Sequence, residues 1–557
     1  KKIVVGKNVK KFDANAISRN RLIGGGCTQL EKITVSKENK YLKMVNGVLF
    51  NKKKTKLLIY PPKKKGSTYE LPNSTKYIGW YAFIGNVSLK NVTVDENVSK
   101  INECAFRGTK IEKIELSGGR ADADTSLTIA MDAFSDCNHL EDITGGYRVS
   151  EVGWYAFDSC VNLKNMDIGM GLKKIDNAFK GCRSLRKICL SNKIEDINGE
   201  AFSNGACKEF SVEDGSESYK SIDGCLYKIV DSEKDNLKLM YAANTTDFKY
   251  ATPENVTEAD MCAFRGRDNI KEIDIGGEIE ELSWYSLINC SNLETLKLSS
   301  KLKSFDRDMT AYSFDNDLTN LKNIIVDEGN TEYESYNNEL FEKGKKNLIL
   351  LPYGSDSIVI PKETEYICGG IAKNIKVEDG NKYFTVNSNV LYNKDITEII
   401  IFPSYKTTYT LPATLKEFPS MTYRYTENYL DIEGEAWITR ADENLECVKV
   451  AKGNEVYKAV DGVLYLKNTK QLEYYPPAKK GSYKIIEGTK YVNNAAFIYT
   501  KYLTSLTVPD SVKSIIISPK DSESLKEITV PVKCEVIKMT KREGSGVKVY
   551  RSLVLKC

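Results

Sequence analysis

The sequence contains a single histidine, His139, among 557 residues. Histidine is the commonest general base near neutral pH, but a Ser-His or Cys-His hydrolase also needs a positioned nucleophile, and nothing near His139 suggests one. His139 stands where other repeats carry Ser or Asn, which indicates a surface position. Glycoside hydrolysis needs only two carboxylates. However, the acidic residues recur in turn sequences such as VEDG, where a capping or turn role explains them, so we expect no enzyme.

An excess of charge and a long apolar run are also missing. The chain has 80 basic and 76 acidic residues, a net charge of +4, which gives no general case for nucleic-acid binding. No apolar run reaches the roughly 18 residues that span a bilayer, and no signal peptide opens the chain. The chain starts at KKIVVGKNVKKFDANAI, and we expect this start to lie inside a repeat whose leader and N-terminal cap were removed.

What the sequence has is repeats. An Ala-Phe pair recurs, followed by a stretch of the form xxCxxLxxIxV, and successive phenylalanines lie 23, 28, 23, 22 and 23 residues apart over the first six copies. This period lies within the roughly 20 to 29 residues of leucine-rich repeats. The phenylalanines are Phe83, Phe106, Phe134, Phe157, Phe179, Phe202, Phe264 and Phe497, with Leu287 and Phe314 as variants.

One unit, residues 86–106, shows how a repeat is built. Leu89, Val92 and Val94 alternate with polar residues, which predicts a short strand with one buried face. A turn over residues 95–97 follows, and a second apolar set ending in Phe106 returns the chain inward. One such coil buries too little apolar surface to offset the ordering of its backbone. Stacked coils share one core, so the pattern predicts a β-rich repeat solenoid with few helices.

A second repeat of sixteen residues occurs five times, beginning at Val35, Val212, Val326, Val377 and Val450. Each copy has an Asn or Ser four residues after the valine, then a Tyr or Phe, a turn and a short aliphatic-aromatic strand. A polar tip and a second strand follow, which predicts an inserted β-hairpin. We expect one continuous array over residues 1–557, a C-terminal end or cap at 531–557, and hairpin cassettes near 35–72, 212–253, 326–361, 377–412 and 450–486.

The segments SLKNVTVDENVSKINECAF and NLKNMDIGMGLKKIDNAFKGCRSL resemble the BspA-like (Treponema-type) leucine-rich repeat family. The resemblance extends over residues 8–530 and implies a right-handed leucine-rich repeat coil in a secreted or surface-anchored bacterial protein. The activity it implies is adhesion to macromolecules of a host or a neighbouring cell. It implies no cofactor and no binding motif that could be transferred residue by residue.

Cysteine occurs fourteen times, but never as a CxxC pair, so a zinc site has little support. Several cysteines repeat in register with the phenylalanines, which predicts a column of small buried thiols between coils. A disulfide or a metal site is the alternative. The cysteines in register are Cys137, Cys160, Cys182 and Cys290 in one position, and Cys104 and Cys262 in another.

A Trp-Tyr pair occupies one repeat position three times, and other repeats carry polar residues there. The position is therefore at least partly exposed. Exposed aromatic residues favour binding of a protein partner or of sugar rings, whereas packing between coils is the structural alternative. We expect an extended face that binds a protein partner, with a glycan as the second possibility. The candidate residues are Trp80, Tyr81, Trp154, Tyr155, Trp284 and Tyr285.

Overall fold

The computed structural model of the chain is β-rich, and its described part contains no α-helix. It divides into two compact units, Lys1–Arg307 and Asp308–Cys557. Phe314 and most of the predicted C-terminal cap lie outside the described residues. The structure describes residues 1–14, 29–117, 126–166, 172–205, 207–245, 248–306, 318, 320–352, 356–367, 372–403, 405–418, 422–426, 429–433, 444–493, 496–497, 500–517, 524–538 and 548–552.

Short strands make up the first unit, together with 3-10 helices at Gly146–Arg148 and Trp284–Leu287. Its strands are β1 Lys2–Val5, β2 Lys32–Val35, β3 Leu42–Val45, β4 Val48–Asn51, β5 Lys56–Ile59, β6 Thr68–Glu70, β7 Tyr77–Ile78, β8 Asn91–Val94, β9 Lys100–Ile101, β10 Lys113–Leu116, β11 Leu127–Ile129, β12 Asp142–Thr144, β13 Val149–Val152, β14 Asn165–Met166, β15 Lys174–Ile175, β16 Lys187–Leu190, β17 Asp196–Ile197, β18 Glu209–Val212, β19 Tyr219–Ile222, β20 Cys225–Asp231, β21 Asn236–Tyr241, β22 Phe248–Ala251, β23 Val256–Ala259, β24 Ile270–Ile275, β25 Glu281–Ser283, β26 Thr295–Leu298 and β27 Ser304–Asp306.

The second unit is built in the same way. Its strands are β28 Asn323–Val326, β29 Tyr333–Tyr336, β30 Glu339–Glu342, β31 Asn347–Leu350, β32 Ser357–Ile360, β33 Tyr366–Ile367, β34 Asn374–Val377, β35 Phe384–Asn387, β36 Val390–Asn393, β37 Ile399–Ile401, β38 Thr408–Leu411, β39 Thr422–Thr426, β40 Tyr429–Glu433, β41 Cys447–Val450, β42 Tyr457–Val460, β43 Val463–Leu466, β44 Gln471–Tyr474, β45 Gly481–Lys484, β46 Tyr491–Val492, β47 Leu503–Thr507, β48 Ser514–Ile517, β49 Glu527–Pro531, β50 Glu535–Lys538 and β51 Lys548–Ser552.

In the first unit, the coils from β6 to β15 each give one strand to each of two parallel ladders. One ladder has the order β6-β8-β10-β12-β14, and the other runs from β5 through β7, β9, β11, β13 and β15 to β17. Val92 pairs with Ile114, and Ile114 with Ile143, so apolar residues one repeat apart lie side by side. The polar residues between them face outward, as in the alternation of β8. This is the predicted solenoid coil.

A column of phenylalanine rings lies between the ladders. Phe83 stacks on Phe106 with ring centroids 4.4 Å apart and planes inclined by 12°. The stack continues through the next coils, at spacings of 4.9 to 5.4 Å, to Phe134, Phe157, Phe179 and Phe202. These spacings match the separation of neighbouring strands, so each coil adds one ring to the column. The expected alignment of the Ala-Phe pairs is confirmed here.

The tight turn around each phenylalanine restricts which residue types can stand on either side of the ring. Two residues after the ring the backbone is left-handed in every coil of the column, and Gly, Asn, Asp or Ser occupies that position. Gly, Asn and Asp tolerate a positive φ at least cost, and Ser159 is the exception in this column. Two residues before the ring, Tyr81, Cys104, Asp132, Tyr155 and Asn177 are also left-handed. The turn therefore fixes which way the side chains at the corner of each coil point.

Five segments interrupt the parallel pairing with three antiparallel strands each, and we call them inserts 1 to 5. They are β3–β4–β5, β19–β20–β21, β29–β30–β31, β35–β36–β37 and β42–β43–β44. In inserts 1, 2, 3 and 5 the last strand then pairs in parallel with a strand of the next coil, as β5 does with β7. The cassette boundaries and the continuity of the whole array stay predictions.

A buried asparagine closes the turn before several inserts. The side-chain amide of Asn454 donates to the carbonyl oxygens of Pro412 and Leu415, at 2.9 and 3.0 Å. Its Oδ1 accepts from the backbone N–H groups of Val456 and Tyr457, at 3.0 and 2.7 Å. Asn39 and Asn381 make the same four contacts in their own inserts. The side chain thus joins the insert to the preceding coil.

Candidate recognition surface

The residue three positions before each phenylalanine lies at a corner of its coil, and we call this set the corner row. Its members in the phenylalanine column are Trp80, Glu103, Met131, Trp154, Asp176 and Gly199. Backbone hydrogen bonds fix the row: the N–H of Tyr81 donates to Glu103 O at 3.3 Å, and the N–H of Asp132 donates to Trp154 O at 3.0 Å. Neighbouring members are therefore one strand spacing apart, about 4.8 Å.

Large apolar side chains in the corner row are half exposed. The exposed fraction is 53% for Trp80, 48% for Met131 and 52% for Trp154. Met131 and Trp154 belong to adjacent coils, so they form one continuous apolar pair on the surface. Trp80 lies two coils before Met131, beyond Glu103. Met261, three residues before Phe264, is equally exposed.

The tyrosines that follow Trp80 and Trp154 are less exposed than the tryptophans. Tyr81 and Tyr155 are half-buried and left-handed, with φ of 55° and 54°. The ring of Tyr155 meets the ring of Trp154 edge-on, with centroids 6.4 Å apart. Burial raises the pKa of Tyr81, and its contact with the Cys104 thiol raises it further. In these two Trp-Tyr pairs, the tryptophan therefore supplies most of the exposed surface.

The third Trp-Tyr pair, Trp284 and Tyr285, is built into internal contacts. Trp284 is half-buried and packs edge-on against Phe305, with centroids 6.1 Å apart. The hydroxyl of Tyr285 donates to Glu200 Oε1 at 2.5 Å. The guanidinium of Arg265 lies 3.8 Å from the centre of the Tyr285 ring and pairs with Glu200 at 3.0 Å. Tyr285 thus links coils, and this pair does not join the other two in one patch.

The Trp-Tyr pattern in the sequence did not identify Met131 as part of this surface. Counting three positions back from Phe134 would have found it. Charges next to it are paired with one another: Arg107 contacts Asp132 at 3.3 Å and Asp136 at 3.5 Å. Burial raises the pKa of Asp132, and Arg107 opposes that shift. The apolar pair is therefore bordered by charged side chains that are paired with one another.

The model of the BspA type leucine rich repeat region matches six copies in this chain, over residues 60–126, 123–228, 242–349 and 479–541. These segments cover more than half of the sequence. The chain belongs to the BspA-type leucine-rich repeat family. No curated protein matches the sequence significantly.

Solved structures of leucine-rich repeat proteins resemble this BspA-type chain. A leucine-rich repeat protein from Eubacterium ventriosum is 25% identical over 40% of this chain, with a TM-score of 0.31, and the match spans 62% of that protein's length. A leucine rich cell surface protein from Faecalibacterium prausnitzii is 13% identical, with a TM-score of 0.34, over 91% of this chain and 97% of the other. The pneumococcal vaccine antigen PcpA is 14% identical over 92% of this chain and 96% of that protein, with a TM-score of 0.21.

The in-register cysteines of this BspA-type array are buried free thiols. Cys137 Sγ donates to the carbonyl oxygen of Phe106 at 3.0 Å, and Cys160 and Cys182 make the same contact one and two coils on. Burial raises the pKa of Cys137 to about 11, so its thiolate is scarce near neutral pH. The predicted column of structural thiols is confirmed for these residues.

Other chemistry has few candidates in the part of this BspA-type chain that the structure describes. No group of three His, Cys, Asp or Glu side chains there could hold a metal ion. No helix within the same residues is long and apolar enough to cross a bilayer. His139 is exposed. What the geometry offers is a surface for contact, to which the corner row contributes the half-exposed apolar side chains of Trp80, Met131 and Trp154.

Proposed function

We propose that the chain is a noncatalytic recognition protein of the bacterial cell surface, extracellular or surface-anchored, that adheres to a protein partner through the corner row. Membership of the BspA-type family supports the surface location and the adhesive role. The exposed pair Met131 and Trp154 supports the choice of surface. Trp and Met are enriched at protein interfaces relative to other surfaces, and charged residues are depleted at interface centres.

The corner row suits a partner with an extended contact. Its members step by about 4.8 Å from coil to coil, so Trp80 and Trp154, three coils apart, mark a strip about 15 Å long. A strip of this length exceeds one small pocket but matches part of a protein interface. Because Arg107 is paired with Asp132 and Asp136, the binding energy would come from apolar contact more than from long-range charge attraction.

The test is retention of the purified protein on intact cells and on immobilised extracellular-matrix proteins. The double variant Met131→Ala/Trp154→Ala should lose at least tenfold in affinity, because truncating central apolar contacts costs about 2 kcal/mol or more. Tyr491→Ala is the matched control, since Tyr491 is equally exposed but lies outside the row. Retention that is unchanged in the double variant would contradict the assignment of the surface.

Carbohydrate binding is the second candidate, favoured by the half-exposed rings of Trp80 and Trp154. A glycan array separates the two functions. Glycan binding that is lost in Trp80→Ala and in Trp154→Ala but kept in Met131→Ala would favour stacking of sugar rings. Loss in Met131→Ala together with an empty array would favour the protein partner.

A further inference from the structure

Where insert 1 joins the next coil, an exposed tyrosine lies between two lysines on the outer face of a ladder. Lys56 on β5, Tyr77 on β7 and Lys100 on β9 are in register. The residue that follows each of them is fully buried, so these three side chains lie together on the outer face. The exposed fraction of Tyr77 is 42%. The two lysines are two strand spacings apart, about 10 Å, with the ring between them.

Both lysines extend from their strands towards the corner row. Lys56 lies across Gly79, because a Cβ at Gly79 would be 3.5 Å from Lys56 Cε. Lys100 Nζ lies 3.8 Å from Oε1 of Glu103, which is a member of the row. Trp80, the member of the row in the coil between the two lysines, is 53% exposed. The two cations therefore flank a coil that presents two rings, the tyrosine and the tryptophan.

Neighbouring carboxylates do not neutralise the positive charge at this place. Two further lysines, Lys54 and Lys76, precede the same strands, where the N–H of Lys76 donates to the carbonyl oxygen of Thr55 at 2.8 Å. Among the described residues, Lys100 is the one lysine of these four that has an ion pair, with Glu103. Four cations thus stand against one carboxylate. We call the following set the basic patch: Lys54, Lys56, Lys76, Lys100, Tyr77 and Trp80.

Inserts 3 and 5 do not repeat this arrangement. Tyr366 and Tyr491, in the coils that follow them, occupy the position of Tyr77 and are 56% and 59% exposed. Their register partners in the inserts are Asn347 and Gln471, whereas insert 1 has a lysine there. The exposed tyrosine therefore recurs with the fold, but the lysine beside it belongs to insert 1.

The sequence GWYAF occurs twice, around Trp80 and around Trp154, and gives an internal comparison. The two tryptophans are equally exposed, at 53% and 52%. Glu151 stands three residues before Trp154, where the other copy has its tyrosine. Its register partner is Thr128, whose hydroxyl donates to the Glu151 carboxylate at 3.3 Å. The same tryptophan thus lies near an acidic residue in one coil and between cations in the other, and the copy around Trp80 is the one that suits an anion.

We propose that the basic patch binds an acidic polysaccharide whose carboxylates occur once in each disaccharide repeat. Alternate sugars of such a chain, when it is extended, are about as far apart as Lys56 and Lys100. Their carboxylates pair with these two lysines, and the apolar face of the sugar between them packs on the rings of Tyr77 and Trp80. A run of acidic peptide residues would match the lysines but would leave the rings between them without a partner.

Isothermal titration calorimetry with a hyaluronan octasaccharide tests the proposal. Its methyl ester, which has the same sugar rings but no charge, should bind at least tenfold more weakly. Lys56→Gln/Lys100→Gln should weaken binding of the octasaccharide by a similar factor, whereas Lys56→Arg/Lys100→Arg should keep it because the charges remain. Tyr77→Ala and Trp80→Ala should each weaken it at least fivefold. Added salt should lower the affinity, because exposed charges are screened.

Tyr491→Ala is the matched control for Tyr77→Ala, because Tyr491 has the same position and is exposed but pairs in register with Gln471. It should bind the octasaccharide as the unaltered protein does. Trp154→Ala should also keep this binding, so the result is independent of the proposed protein-binding function and differs from sugar stacking at both tryptophans.

Three results would overturn the proposal. The first is the absence of binding heat at millimolar octasaccharide. The second is equal affinity for the methyl ester, which would show that the lysines take no part. The third is equal or tighter binding of a glutamate octapeptide or of an oligothymidylate, which would assign the basic patch to another class of anion.

Discussion

The hydroxyl oxygens of Tyr465 and Tyr483 lie 2.6 Å apart in the interior of the second unit and share a hydrogen bond. Tyr465 belongs to insert 5, and Tyr483 lies on β45, the first ladder strand after it. Tyr392 of insert 4 and Tyr409 on β38 repeat the pair, at 2.8 Å. A buried hydroxyl without a partner is costly. Each pair therefore satisfies two polar groups at once.

Insert 1 has only half of this pair, and this predicts a stabilising substitution. Tyr69 stands at the position of Tyr483, but Phe50 stands at that of Tyr465. The Tyr69 hydroxyl is buried, with no hydrogen-bond partner among the described residues. Phe50→Tyr should raise the free energy of unfolding by about 1 kcal/mol, measured by urea denaturation, because it supplies that partner.

Phe341→Tyr is the control for this substitution. Ile358 stands opposite Phe341 where the other inserts have a tyrosine. The new hydroxyl would be buried without this partner, so the free energy of unfolding should fall by about 1 to 3 kcal/mol. Equal effects of the two substitutions would show that hydroxyl pairing does not explain the recurrence of the tyrosines.

The asparagine at the start of inserts 1, 3, 4 and 5 gives the second prediction. Asn454→Ala removes four hydrogen bonds and leaves the carbonyl oxygens of Pro412 and Leu415 without their donor. We expect the free energy of unfolding to fall by about 2 kcal/mol or more. Asn454→Ser should cost less, since Ser216 accepts from Tyr219 N–H in insert 2. The exposed Asn468→Ala is the control, and a change as large as that of Asn454→Ala would contradict this account.

The coil could be predicted from the sequence because it repeats within about 23 residues, so strand, turn and ring recur in fixed register. The exposure of Trp80 and Trp154 followed from the polar residues that share their position. The role of Tyr285 could not be predicted. Its partner Glu200 is 85 residues away, and an insert of irregular length lies between them. A contact between two residues so far apart depends on how the insert connects the coils on either side of it. A repeat pattern of about 23 residues does not show this connection.

The third prediction concerns the order in which the thiols react. Cys189 is exposed, whereas Cys137 and Cys160 are buried and donate to backbone carbonyl oxygens. Burial raises the pKa of both buried thiols, and only the thiolate reacts with iodoacetamide. At pH 8 and without denaturant, Cys189 should be alkylated first and the two buried thiols only after unfolding. Peptide mapping by mass spectrometry measures this order, and similar rates in native protein would contradict it.

Glu339 makes the stability of the second unit depend on pH. It is buried at the position where the other inserts have Val48, Cys225, Val390 and Val463. Its Oε2 has no hydrogen-bond partner in the part of the chain that is described. Burial raises the pKa of Glu339 to about 8, so the carboxyl is mostly protonated in the folded protein at neutral pH.

The direction of the effect follows from the protons bound in each state. An unfolded glutamate titrates near 4.3, so between about pH 4.3 and pH 8 the unfolded chain releases a proton that the folded chain keeps. The unfolded state is then favoured more as pH rises, and stability should fall by about 3 kcal/mol between pH 5 and pH 8. Urea unfolding at the two pH values measures this. Glu339→Gln should abolish this contribution, and Glu339→Val should in addition raise stability at pH 8, because valine suits the site. A pH dependence that persists unchanged in both variants would assign the effect to other groups.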